Sequence, residues 1–476
     1  MMMLPSPTRR DFLRSTGAGF GLLALTALLA EDGLLAADRP GEPDGSPLSP
    51  KQPHHEPRAR RVIFLFMSGG PSHLETFDPK PALQRLHGQR LPDSFGMVKT
   101  RRGVEKNRLL ATKRTFQKYG QCGIEVSDLL PHTAACVDDL CVLRGCHGDS
   151  VTHPESVYLM NTGAILMGRP SLGAWTAYGL GTENRNMPAF VVLPDPGGWV
   201  KGGAPAWGNG FLPAAYQGTI LRGGSSPGLH LRPPPDVSDA QQRCTLDLVN
   251  RLNQEHLRQR DGDGELAARI AAYELAYRMQ ASAPEVVDVS GETEATRRLY
   301  GLDRKETAEF GLRCLLARRM VERGIRFVQV YCGDTNGWDA HSDIEGNHGR
   351  LCLQSDLPTA GLLKDLKRRG LLEDTLVIWG GEFGRTPMTE GTTGRDHNPH
   401  GFTMWLAGGG VKGGQVIGAT DEVGLRAAED KVHVHDLHAT VLHLLGFNHR
   451  RLTYRHNGRN ERLTDNAGEV VSRALA

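Results

Sequence analysis

Three short apolar runs, each closed by glycine and then by carboxylates or imidazoles, constrain this chain more than any other feature. Val62-Ile63-Phe64-Leu65-Phe66-Met67 ends in Ser68-Gly69-Gly70-Pro71-Ser72-His73. Arg326–Cys332 runs into Gly333-Asp334 and then Trp338-Asp339-Ala340-His341, and Thr375–Trp379 runs into Gly380-Gly381-Glu382-Phe383-Gly384-Arg385. Apolar runs this short read as strands buried on both faces, as in a parallel sheet. Cys141-Val142-Leu143 and Phe402–Ala407 add two more candidate strands. Between them the spacing predicts helices over 125–140, 236–280, 307–323 and 357–369, the second broken at Asp261-Gly262-Asp263-Gly264. That break lacks the twelfth-position Glu of a calcium loop and reads as a helix–helix turn. Strands alternating with helices predict an α/β fold, its mostly parallel central sheet covered on both faces.

The chain has 476 residues, enough for one large α/β domain with insertions. Its net charge of +2 leaves no excess of basic residues to drive binding to nucleic acid. Glycine, at 58 residues, is in excess of the usual share, with no collagen period, so it serves turns and close backbone approaches.

Thr8-Arg9-Arg10-Asp11-Phe12-Leu13-Arg14 precedes an apolar run from Gly17 to Ala30, with Ala36-Ala37 downstream. This resembles a twin-arginine export signal over residues 1–37. The implied partner is the twin-arginine translocation machinery, and the implied location is periplasmic or otherwise extracytoplasmic. An apolar run this short falls below the ~20 residues of a membrane span, so no stable span is expected. Residues 38–60 read as a flexible linker, 61–455 as the α/β domain, and 456–476 as a C-terminal tail. Within the domain, 194–282 reads as an insertion, first a Gly/Pro-rich loop and then helices. Eight cysteines include no Cys-x-x-Cys pair, so they read as small buried hydrophobes with room for one disulfide.

In such sheets ligands bind beyond the carboxyl ends of the strands, where this chain collects its polar residues. His73, Asp339, His341, Glu382, Asp396, His397 and His400 are the candidate ligands of a divalent metal ion: zinc, manganese or calcium. Arg385 is a candidate clamp for phosphate or sulfate, because its planar fork suits such groups. His433, His435, His438, His443 and His449 form a cluster only by composition. His438 and His443 do not share a helix face, so a capped helix carrying histidines is the expectation there.

The helix and strand from Leu362 to Gly384 resemble a hallmark of the alkaline phosphatase/sulfatase superfamily, as do Phe402–Gly414, Val434–Gly446 and Tyr158–Gly163. A closer resemblance is to the bacterial family named for domain of unknown function 1501. It rests on the twin-arginine signal, Gly69–His73, Phe77–Lys80, Glu274–Gln280, Trp338–His341, Gly381–Pro387 and Gly394–Asn398. These likenesses imply an alkaline phosphatase-like three-layer α/β/α sandwich. They also imply a metal-dependent hydrolase of anionic esters, small-molecule or glycan, with phosphate or sulfate as the transferred group.

The chain departs from the superfamily pattern at telling points. Glu382-Phe383 replaces an Asp-His pair, and the first strand ends in Met67-Ser68-Gly69-Gly70 where the superfamily places a metal-binding Asp, with His73 or Asp78 as the candidate substitutes. The nucleophile slot falls near His153, with no Cys-x-Pro-Ser-Arg or Ser-x-Pro-Ser-Arg motif for conversion to formylglycine. His153 is then a candidate nucleophile or general acid, Ser72 the nearest hydroxyl, and Asn398 a partner of Arg385 in stabilising charge. The alternative is a catalytically degenerate binding or assembly protein on the same fold.

Overall fold

Strand β1 (Arg61–Met67) is the centre of the molecule, and its alternation builds both faces of the sheet. Val62, Phe64 and Phe66 point into one hydrophobic core, whereas Ile63, Leu65 and Met67 point into another. A strand apolar on both faces can only be interior to a sheet covered on both sides. The computed structural model describes residues 47–222, 238–259 and 264–476. The signal expected over 1–37, the first part of the linker, residues 223–237 and the break at 260–263 lie outside the described residues.

The sheet has nine strands. They are β1, β2 (Leu140–His147), β3 (Phe190–Leu193), β4 (Thr219–Ile220), β5 (Phe327–Cys332), β6 (Thr375–Gly380), β7 (Phe402–Ala407), β8 (Gln415–Ile417) and β9 (Val432–His433). The order is β8-β2-β7-β6-β1-β5-β3-β4, with β9 also paired to β2. Only β7 runs antiparallel, between β2 and β6, and every other pairing is parallel. The fold is therefore a mixed α/β sandwich with a large, mostly parallel central sheet, as the alternation of elements implied.

One face is covered by α1 (His153–Thr162), α2 (Leu172–Leu180) and the C-terminal α7 (Val434–Leu444). The other is covered by α4 (Gly264–Val287), α5 (Ala308–Glu322) and α6 (Ile344–Arg368). Helix α3 (Asp239–Gln259) packs on α4. Helix α6 begins well before the expected Leu357, because Asp343 caps it through a bond from the Gly346 N–H. The expected helix over 125–140 is instead a strand at Ile124–Ser127, a single turn starting at Pro131, and a 3₁₀ turn. Pro131 lacks the N–H that a continuous helix would need there.

Residues 47–60, expected as flexible linker, lie against the domain. Lys51 N–H donates to Leu180 O, and the N–H groups of Arg58 and Ala59 both donate to Leu444 O. The C-terminal residues return likewise, with Lys412 N–H bonded to Ala474 O. Helix α7 is capped by His433 and Asp436 in a reciprocal box, as its histidine-rich sequence suggested. All eight cysteines are free thiols, so the disulfide allowed for above is not formed. Among the described residues no helix is long and apolar enough to cross a membrane.

Candidate metal centre

The carboxyl ends of β1, β5 and β6 meet the N-terminus of α1, which follows the parallel strand β2, on one edge of the sheet. A hairpin of Gly384–Glu390 and Gly394–Asn398 folds over the same edge. These elements bring His153, Asp339, His341 and His397 together, with one candidate ligand atom from each within 4.8 Å of the others. All four are sequence candidates, although His153 was assigned a catalytic rather than a ligand role.

Each imidazole is oriented through its second nitrogen. Nδ1 of His153 lies 2.7 Å from Oε1 of Glu382, Nδ1 of His341 lies 2.5 Å from Oε2 of Glu390, and Nδ1 of His397 lies 2.7 Å from the Val151 carbonyl. An acceptor at Nδ1 holds a proton there and leaves Nε2 as the nitrogen that faces the cluster. All three Nε2 atoms converge on Asp339: 3.0 Å for His153, 2.8 Å for His341 and 3.2 Å for His397. The Nε2 atoms of His341 and His397 are themselves 3.2 Å apart. His153 Nε2 is buried with no hydrogen-bond partner.

Burial, ahead of any neighbouring charge, pushes the His397 pKa down to about 3, so this ring is neutral at physiological pH. Burial also works against the charge of Asp339, but its contacts with the three histidines and the Arg385 guanidinium outweigh it. Its carboxyl is held far below the usual range. An imidazole lone pair facing a carboxylate is repelled unless a proton or a cation lies between them. This donor chemistry, with each nitrogen braced by a carboxylate or a carbonyl, fits a divalent ion. Phe383 completes the wall, its ring 4.5 Å from that of His397 and 4.8 Å from that of His153.

The remaining sequence candidates divide into supports and outsiders. Glu382 is not one of the clustered ligands. It is 3% exposed, holds His153, and accepts the Gly69 N–H at 3.0 Å. Gly69 must be glycine, because its φ is +106° and a Cβ would lie 2.7 Å from the backbone nitrogens of Trp338 and Asp339. Arg385, expected as an anion clamp, is fully buried and spends its donors on the protein. It bonds the carbonyls of Gly69, Gly70 and Arg395, and its Nη2 lies 2.9 Å from Asp339. It ties β1 to the Asp339 loop and has no fork left for a substrate.

Asp396, with His341 and Glu390, forms a second group whose ligand atoms lie within 4.8 Å of one another and could hold a metal ion, while its oxygens also accept the N–H groups of His397 at 2.8 Å and Arg102 at 2.7 Å. It braces the hairpin. His73 donates Nε2–H to the Gly424 carbonyl at 2.8 Å, and His400 Nε2 lies 2.9 Å from the Lys99 carbonyl. Asn398 donates to the carbonyls of Gly401 and Gly424. Ser72 is fully buried with its N–H on His348 Nε2 at 2.8 Å, beside Glu75. None of His73, His400, Asn398 and Ser72 belongs to the cluster, because each side chain or backbone is committed to fastening a neighbouring loop.

Two residues of the centre were not anticipated. Glu390 was indistinguishable from any surface carboxylate at the end of a strand. Lys201, in the Gly/Pro-rich loop, places Nζ 2.5 Å from Oδ2 of Asp339 with its side chain 26% exposed. A lone lysine in a loop carries no sequence signal of such a contact.

Comparison with known proteins gives a family but no characterised relative. The family model described as "Protein of unknown function (DUF1501)" matches residues 59–475. No curated protein matches the chain at a significant level. The solved structures to which it is similar include the PsFucS1 sulfatase from Pseudoalteromonas sp., at 12% identity, 90% of this chain, 70% of that chain and a TM-score of 0.34. A mutant TAB5 alkaline phosphatase with bound magnesium matches at 10% identity over 83% of this chain and 100% of that one, with a TM-score of 0.35. The phosphonate monoester hydrolase SpPMH from Silicibacter pomeroyi matches at 12% identity over 67% and 68%, with a TM-score of 0.29.

Proposed function

The chain belongs to the DUF1501 family, and from that premise we propose that it is a divalent-metal-dependent hydrolase of phosphate or sulfate esters. One observation carries the reading: three imidazoles, each braced at Nδ1, aim Nε2 at a single half-buried carboxylate. Asp339 and the Nε2 atoms of His153, His341 and His397 would hold the ion. A nitrogen-rich set favours zinc over calcium, which prefers oxygen ligands throughout. Bound at such a site, a divalent ion polarises an ester oxygen and lowers the pKa of water.

The protein's own groups then have separable tasks. Glu382, Glu390 and the Val151 carbonyl fix the rings, which keeps the donor geometry set before substrate arrives. Phe383 keeps water off two of those rings. Arg385 locks Asp339 to the β1 loop. Lys201 is the cation on a flexible stem at the open side of the cluster, and it takes the anion-binding task expected of Arg385. His153, as a ligand, is unavailable as nucleophile. Ser150 and Thr152, the nearest hydroxyls along the chain, are turned toward Glu155. Water is therefore the attacking group in this reading. The segment Thr8–Arg14 supports delivery of the folded protein out of the cytoplasm by the twin-arginine route.

The test is turnover of 4-nitrophenyl phosphate, bis(4-nitrophenyl) phosphate and 4-nitrophenyl sulfate by zinc-loaded protein. Hydrolysis that a chelator removes and zinc restores supports the proposal. No turnover of any of the three by metal-loaded protein would sink it.

A further inference from the structure

The chain has six tryptophans, and Trp175, Trp207, Trp338, Trp379 and Trp405 are all buried; Trp199 alone is open, at 45% exposure. It is nonetheless held in place. Its ring stacks on Trp207 at 5.8 Å and an interplanar angle of 24°, and Trp207 meets Tyr331 of β5 edge-on at 5.7 Å. The guanidinium carbon of Arg222 lies 6.0 Å from the Trp199 ring centroid. A rigid exposed aromatic face beside a cation, on a loop full of glycine and proline, has no role in the core.

Trp199 lines a cavity of about 460 Å³, together with Pro196, Leu221, Arg222, Glu309 and Arg313. This size falls within the ~300–1,000 Å³ of small-molecule sites, and the lining mixes flat apolar surface with a few charged groups as such sites do. The cavity is tied to the metal centre by two routes. Arg313 is held at 2.9 Å by Asp195, which also accepts the Gly333 N–H at 3.1 Å, at the start of the loop that carries Asp339. Lys201, two residues beyond Trp199, reaches Asp339 itself.

We propose that this cavity binds a pyranose ring bearing an anionic substituent. Trp199 covers the apolar C–H face of the ring, Arg222 and Arg313 receive the anion, and Glu309 accepts ring hydroxyls. This deepens the hydrolase reading and rests on it in one respect: the bound ring is then the non-reacting part of the ester substrate, and its binding orients the ester. The binding itself requires no turnover.

The experiment is isothermal titration of the full chain with galactose 6-sulfate and glucuronate, with glucose as the neutral comparison and metal content measured on the same samples. The expected result is saturable binding of the two anionic sugars and weaker binding of glucose. Trp199→Ala and Arg222→Ala should each weaken it by about tenfold or more with metal content unchanged. Acrylamide quenching of tryptophan emission, which reaches Trp199 first, should fall as galactose 6-sulfate saturates the protein. No saturable binding, or equal binding to wild type and Trp199→Ala, would overturn the assignment. Sugar binding to a protein that takes up no metal would uphold the cavity while removing the hydrolase reading.

Discussion

Nδ1 of His153 lies 2.7 Å from Oε1 of Glu382, and this contact decides the role of the most conspicuous carboxylate in the sequence. Glu382 follows a buried strand and two glycines, where a metal ligand is expected. The structure spends it on the ring that does the ligating and on the Gly69 N–H. Glu382→Gln should therefore weaken metal affinity by about 10–100-fold rather than abolish it, the range for a lost orienting partner. Equilibrium dialysis against zinc measures this, and a loss as complete as that of Asp339→Ala would make Glu382 a ligand.

Lys201 should act on substrate rather than on metal. Lys201→Ala is expected to retain the ion and to raise KM for anionic esters well above any fall in kcat. Steady-state kinetics beside metal analysis check this. Loss of metal from the variant would mean that the lysine holds Asp339 in place.

Stability should fall with acid, and two histidines outside the centre give the sign. Burial pushes the pKa of both His348 and His438 down to about 3. Unfolded, each titrates near 6.5, so between those values the unfolded chain binds more protons than the folded one. The contribution is complete above about pH 6.5 and is lost as pH falls toward 3. Thermal melts from pH 7 to pH 4 should show a falling Tm. His438→Gln, which keeps a donor for the Met160 carbonyl, should flatten that slope. An unchanged slope would contradict the assignment.

Gly69→Ala tests the backbone beneath the centre. A Cβ there meets two backbone nitrogens that cannot move away, at a φ that side chains avoid. The cost should exceed about 2 kcal/mol in chemical denaturation, with metal affinity reduced as well. A neutral substitution would show that the β1 and Asp339 loops are not packed as described.

The sheet was legible because its interior strands need apolar residues on both faces, and β1, β5 and β6 have little else. Their ends were legible because glycines and polar residues replace that pattern abruptly. Residues 125–140 misled because Leu129, Leu130 and Val137 are apolar without being one helix face, and Pro131 restarts the chain there. Asp339, His341 and His397 could be found as types at strand ends. Their separation from His73, His400 and Asn398 could not, since which side of a loop an imidazole faces depends on partners such as Gly424 and Lys99. Arg385 illustrates the same limit. A buried guanidinium and a substrate clamp look alike until its carbonyl acceptors are in place.

The central claim is that His153, His341, His397 and Asp339 form one metal site. Its most direct measurement is the metal content of the purified protein, with X-ray absorption at the zinc edge to read the ligands. The account predicts about one ion per chain, a nearest shell of imidazole nitrogen with one carboxylate, and its loss in His341→Ala and His397→Ala. Zinc-exposed protein that retains no ion, or a shell without imidazole, would contradict it.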